Sequence, residues 1–250
     1  MAVRLTGKMP VPLAKEDAMS EVFARTDAPM RMKLDNFEKY IRRQSLARFL
    51  ARYEIFKLQA PIKGSIIEAG VHHGGGLMAW AKLSADLEPY ALDRRIIGFD
   101  TFEGFPPIAE QDKGGQENAA LKEGGLAAGY DVYAELTELI AEFDANRFLN
   151  QFPKVHLVKG DACKTIPQFI RDNPHLLVSL LFMDFDLYEP TKVALEHFLP
   201  RMGAGSILAF DELNNPWWPG EMRAVLEMLD LPKHRINRFS FDPSIAYIVL

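Results

Sequence analysis

One cysteine, Cys163, in 250 residues excludes an intrachain disulfide framework. The chain has no block of basic residues and a net charge of −5, so the electrostatic footprint of a nucleic-acid-binding protein is missing. No apolar run reaches the ~18 residues that would suggest a membrane span. The opening "MAVRLTGKMPVPLAKEDAM" lacks the continuous apolar segment of a signal peptide. Internal repeats and low-complexity tracts are also absent. These gaps together lead us to expect a cytoplasmic, soluble protein with neither nucleic acid nor membrane as partner. Apolar residues, by contrast, are plentiful: 48% hydrophobic content suffices for one large core.

The first 35 residues, with Pro10, Pro12 and Pro29, show no clean periodicity and are expected to form an arm or lid. From Asn36, Phe37, Tyr40, Ile41, Leu46, Phe49, Leu50, Tyr53 and Phe56 recur at helical spacing, as in one or two amphipathic helices. Five short apolar segments follow: "SIIEAG", "RRIIGFD", "KVHLVKGD", "LVSLLFMD" and "GSILAFDE". None alternates and each leads to a helix-like stretch, the pattern of strands buried on both faces of a parallel sheet. Helices are expected at about 75–87, 131–148, 163–172, 189–201 and 219–230. "RINRFSF" and "IAYIVL", separated by Asp242, Pro243 and Ser244, read as a closing hairpin. The expected fold is α/β: a doubly wound, seven-stranded, mostly parallel sheet in a single domain over 36–250, with an N-terminal helical extension. The Gly-rich stretch at about 103–130 is long for a connection and reads as a lid inserted in that domain.

Ligands of open parallel sheets bind at the carboxyl ends of the strands, and here those ends are acidic or glycine: Glu68 and Gly70, Asp100, Asp161, Asp184, then Asp211 and Glu212. In "EAGVHHGGG", Gly70, Gly74 and Gly75 allow close backbone approach to a ligand, with His72 beside them. Val71 and His72 break the G-x-G-x-x-G spacing of a nicotinamide-binding loop. Asp100, followed by Thr101 and Phe102, is placed to accept from ribose hydroxyls. Asp161, before Ala162, either accepts from the exocyclic amine of a base or caps the helix that begins near Cys163. Asp184, Asp211 and Glu212 end neighbouring strands, and such clustered carboxylates call for a hard divalent cation such as Mg²⁺. Asp186, two residues beyond Asp184, is either a general base or the cap of a helix starting near Tyr188. Trp217 and Trp218 lie between prolines, where they stack on a substrate ring or make an oligomer contact.

"IIEAGVHHGGGLM", "GFDTFEGFP" and "MDFDLYEPTKVALEHFLPRMGAGSILAFDE" resemble the macrocin O-methyltransferase family over about residues 60–230. The resemblance implies a class I, Rossmann-like methyltransferase that uses S-adenosylmethionine and Mg²⁺ to methylate a sugar hydroxyl, often on a natural product. It places the cofactor on Glu68, Gly70, Gly74, Asp100, Thr101 and Asp161, with His72, Gly75, Phe102, Ala162 and Asp184 as further candidate contacts. The metal falls on Asp184, Asp211 and Glu212, and Asp184 and Asp186 form the catalytic pair. A sugar-containing small-molecule acceptor and a homo-oligomer complete the expectation. A catechol-type methyltransferase and a non-catalytic cofactor-binding module are the alternatives.

Overall fold

The computed structural model describes residues 18–250; the expected arm segment at 1–17, including Pro10 and Pro12, lies outside them. Residues within the rest of that arm form two short helices, α1 (Ala18–Arg25) and α2 (Met30–Leu34). The expected helical stretch from Asn36 resolves into a 3₁₀ turn at Phe37–Lys39 and one long helix, α3 (Arg43–Gln59). Its core face is Ala51, Ile55 and Phe56, with Phe49 and Tyr53 packed beside them. Phe37 and Leu50, expected on the same apolar face, are exposed: Phe37 lies in the separate 3₁₀ turn before α3, and Leu50 is on α3 but outside its core face.

The sheet contains β1 (Ser65–Ala69), β2 (Ile96–Asp100), β3 (Val155–Lys159), β4 (Val178–Met183), β5 (Ile207–Phe210), β6 (Asn237–Arg238) and β7 (Ala246–Val249), in the order β3-β2-β1-β4-β5-β7-β6. The first five strands are parallel, and β7 runs antiparallel to both β5 and β6. Helices α4 (Gly75–Leu87), α5 (Val132–Asn146), α6 (Ala162–Asp172), α7 (Tyr188–Phe198) and α8 (Pro219–Met228) stand within one to three residues of their expected limits. Every residue of β1, β4 and β5 is buried, since helices cover both faces. Edge strand β3 instead exposes His156 and Lys159, the polar edge that discourages pairing with another chain. Strand order reverses between β1 and β4, which makes the carboxyl ends of these two strands the crevice of the sheet. Among the described residues no helix is long and apolar enough to cross a membrane.

The opposite, amino end of the sheet is tied by one buried cation. Arg94 is 6% exposed and donates to Gln59 Oε1, the Gly64 carbonyl and Ser179 Oγ at 2.6–2.7 Å, and to the Ala60 and Ile62 carbonyls at 2.9 and 3.0 Å. Glu88 balances its charge at 2.6 Å. One guanidinium thereby fastens the end of α3 to β1 and β4. Removing it strands buried carbonyls and the partly buried Glu88 carboxylate, so Arg94→Ala should cost about 3 kcal/mol in urea unfolding while leaving the cofactor affinity of the folded protein unchanged.

Candidate active site

The crevice at the carboxyl end of the sheet holds a cavity of about 600 Å³. Its floor is Glu68, Gly70, Asp184 and Asp211 from the strand ends; the glycine-loop side adds His72, His73 and Gly75. Asp100, Thr101, Phe102, Gly160 and Ala162 close the β2–β3 side, and Asp186 and Leu187 the α7 side. The Gly-rich loop contributes Gly104, Phe105, Pro106, Gly125 and Leu126, and α3 contributes Ser45, Arg48, Phe49 and Arg52.

Gly70 is required by geometry. Its φ is +102°, and a Cβ there would overlap the Asp184 carbonyl oxygen. The bare backbone lets β1 and β4 exit side by side, with the Asp184 N–H donating to the Ala69 carbonyl at 2.7 Å. Gly74, also at positive φ, abuts the Leu136 side chain and lies outside the cavity wall, unlike Gly75.

Asp100 clasps the two loops that flank it. Oδ2 accepts from the Val71 and His72 amides at 2.7 and 2.9 Å, and Oδ1 from the Phe102 amide at 2.7 Å. Both His72 and Phe102 sit at positive φ, 49° and 58°, and these charge-assisted bonds hold them there. Thr101 Oγ1 donates to the Gly104 carbonyl at 2.5 Å, starting the Gly-rich loop. Asp161 caps α6 through the Cys163 amide at 3.0 Å and is not among the cavity-lining residues; its neighbours Gly160 and Ala162 are.

The carboxylate group is larger than the strand ends suggested. Asp211, 5% exposed, has one oxygen bound to the Arg48 guanidinium, while Oδ1 has no partner. Glu212 turns to the Asn215 side-chain amide and away from the cavity wall. Among the described residues no three His, Cys, Asp or Glu side chains converge as a ready ligand shell. Burial raises Asp184 to about 7 against the pull of Arg52 and Arg48, with Glu212 and Asp100 raising it further. Burial also lifts Asp186 well above the usual carboxylate range, helped by Asp184 and Glu212. Asp186 does not cap α7: Leu187 occupies the cap position and offers no side-chain bond.

Three charged groups here escaped the sequence reading. Arg48 and Arg52 sit one turn apart on α3, and their only sequence signal is an i,i+4 pair of cations interrupting an apolar helix. Glu221, in the first turn of α8, looks like an ordinary acid at a helix start, yet it is 4% exposed and its Oε1 has no partner. Burial pushes it well above the usual range, with Asp186, Asp184 and Glu212 adding to the effect. Neither tryptophan lines the cavity. Trp218 meets Phe105 edge-on at 5.4 Å and the Trp217 carbonyl accepts from Asn118 at 3.5 Å, so both stand behind the loop that does.

A seven-stranded sheet of this order with its ligand crevice between β1 and β4 is the class I methyltransferase fold. Residues 40–230 match the model of the macrocin-O-methyltransferase (TylF) family, and the chain belongs to that family. A crystal structure of the calicheamicin methyltransferase CalS11 is 32% identical, with 93% of this chain and 90% of that one covered and a TM-score of 0.88. A second, apo CalS11 structure, described as a TDP-rhamnose 3'-O-methyltransferase, is 31% identical over 93% and 91%, with a TM-score of 0.80. A tetracenomycin-C rhamnosyl 4'-O-methyltransferase of Streptomyces olivaceus is 29% identical over 60% of this chain and 53% of its own. The mycinamicin III 3''-O-methyltransferase of Micromonospora griseorubida is 26% identical over 62% and 57%. The match thus spans little more than half the length of these two curated relatives.

Glu68 provides a pH signature of the site. Burial raises its pKa from 4.5 to about 8, opposed by Arg52. Between those values the folded protein holds a proton that the unfolded chain has released, so stability falls as pH rises through that window. Thermal midpoints of the ligand-free protein should therefore decline from pH 5 to 9, and Glu68→Gln should flatten the decline.

Proposed function

We propose that this chain is an S-adenosylmethionine- and Mg²⁺-dependent O-methyltransferase acting on a sugar hydroxyl of a natural product or its nucleotide-linked precursor. The observation that carries the proposal is the meeting of Asp184 and Asp186 with the Gly70 loop and Asp100 on one cavity. A carboxylate pair there faces the place where a methyltransferase cofactor and its acceptor must meet. The names of CalS11 and of the two glycoside-modifying relatives support a sugar acceptor. The single cysteine supports a cytoplasmic setting. Exposed Met30, Met32, Leu34 and Phe37 support self-association of the N-terminal helices.

S-adenosylmethionine supplies a sulfonium-bound methyl group, already activated for in-line displacement. The cradle fits it: bare backbone at Gly70, an unpartnered buried Glu68 Oε2 and the Asp100 carboxylate face the same space. His72, Gly75, Thr101, Phe102 and Ala162 complete that wall. Gly74 and Asp161 act from behind it, as loop former and helix cap.

For Mg²⁺ the donor chemistry fits: carboxylate oxygens are hard donors, and Asp211 Oδ1 is buried without a partner. Asp184 and Asp211 would hold the ion, joined by Glu212 only if it leaves Asn215, and the ion would supply Lewis acidity toward the acceptor oxygen. Asp186, on the cavity wall beside Asp184, takes the acceptor's proton. Phe105 and Leu126 exclude water over the acceptor, and Trp217 and Trp218 support the acceptor side through Phe105 and Asn118.

Asp184→Asn and Asp211→Asn are expected to abolish methyl transfer while cofactor binding by calorimetry persists. Asp186→Asn should lower kcat about 10²-fold or more, and full turnover in EDTA would count against the metal. A panel of TDP-rhamnose, macrolide glycosides and catechols tests the acceptor. Methylation of catechols alone points to the catechol-type alternative; cofactor binding without any transfer points to a binding module.

A further inference from the structure

The turn that carries Asp186 is pinned at both ends by contacts outside itself. At its start, the Asp184 amide is bonded to β1 and its carbonyl lies against Gly70. At its end, the Tyr188 amide, first in α7, donates to Asp112 Oδ1 at 2.7 Å. Between these pins Asp186 has φ +62°, a conformation that a residue with a side chain keeps only where its surroundings impose it. Because α7 has no cap of its own, its leading amide depends on an acceptor from the Gly-rich loop.

Asp112 is itself firmly seated. It is 2% exposed, and its Oδ2 accepts from the Ala109 amide at 3.0 Å. Arg223 of α8 clamps the 3₁₀ turn Glu110–Asp112 by donating to the Gln111 carbonyl and, at 2.8 Å, to the Lys113 carbonyl. At the start of α8, Gly220 leaves no spare volume: a Cβ there would overlap Asp112 Oδ1 and approach the Tyr188 nitrogen to 2.7 Å. One carboxylate thus joins the loop, α7 and α8. Asp112 is not among the residues lining the cavity, so no contact with cofactor or acceptor accounts for its burial.

We propose that Asp112 is a positioning residue for methyl transfer: by holding the Tyr188 amide it fixes the left-handed turn that aims Asp186 into the cavity. Ordering of the loop over the acceptor and placement of the base are then a single event. A loop that has not settled leaves the base misaimed, which restricts chemistry to the enclosed acceptor. The proposal rests on Asp186 as the proton acceptor.

The test compares four variants of the full chain, with S-adenosylmethionine and TDP-rhamnose as substrates and amide hydrogen exchange as a readout that needs no acceptor. Asp112→Ala and Gly220→Ala should each lower kcat about 30-fold or more, with KM for S-adenosylmethionine within about two-fold of wild type. In Asp112→Asn, Oδ1 still accepts from Tyr188 while the amide nitrogen cannot accept from Ala109, so kcat should stay within about five-fold. Asp242→Ala is the structural control. Its carboxylate holds the Ser244 and Ile245 amides at 2.9 Å, away from the cavity lining, and its loss should lower the thermal midpoint with kcat unchanged. Exchange at the Tyr188 amide should accelerate in Asp112→Ala. Unaltered exchange there, an unaltered kcat in Asp112→Ala, or an equal fall in Asp242→Ala overturns the proposal. Undiminished turnover in Asp186→Asn instead removes the base assignment, and Tyr188 exchange still decides the clamp.

Discussion

Asp184, Asp186, Asp211, Glu212 and Glu221 crowd one end of a parallel sheet, and burying such a group in ionised form is costly without nearby positive charge. Two arginines of α3 supply it. Arg48 binds Asp211, and Arg52 acts on Glu68 and Asp184 while its guanidinium lies 4.9 Å from the Phe182 ring centre. Burial, helped by the charge that remains, pushes the carboxyls of Asp184, Asp186 and Glu221 above their usual range in the ligand-free protein. Helix α3 is therefore as much a part of the site as the strands, although it precedes the sheet in sequence.

The same constraint explains the choice of residues beneath the cluster. Carboxylates can gather only if β1 and β4 end close together, and that approach is set by backbone touching backbone at Gly70. Asp100 does comparable service on the other side, spending its oxygens on amides of the loops around it. Its carboxylate both faces the cavity and keeps the cavity's rim in shape, two demands that one acid meets because a carboxylate accepts several bonds at once.

Much of this was legible in the sequence for a simple reason. Strands covered on both faces must be continuously apolar, so "SIIEA" and "VSLLFM" announce their place at the centre, and whatever polar residue follows must stand at the rim. Local signals also served for Asp161, which has the helix-cap geometry its position suggests. The arginines and Glu221 were not legible, because a charge on a helix looks the same whether it faces water or a cleft built from distant strands. For the same reason Trp217 and Trp218 could be located to the rim but not to a side of the loop. Asp112 is the extreme case: it lies 76 positions from the Tyr188 amide it holds, and no local pattern connects the two.

The Gly-rich loop is closed at its base by its own backbone, with the Phe105 amide bonded to the Gly125 carbonyl at 2.8 Å and the Gly124 amide to the Phe105 carbonyl at 2.9 Å. Gly104 packs so tightly beneath Gly125 that no side chain could be added there. A segment sealed at its base in this way and tied again at Asp112 has two anchors: what lies between them can change composition at little cost to the sheet, whereas a change at Asp112 is felt at the start of α7.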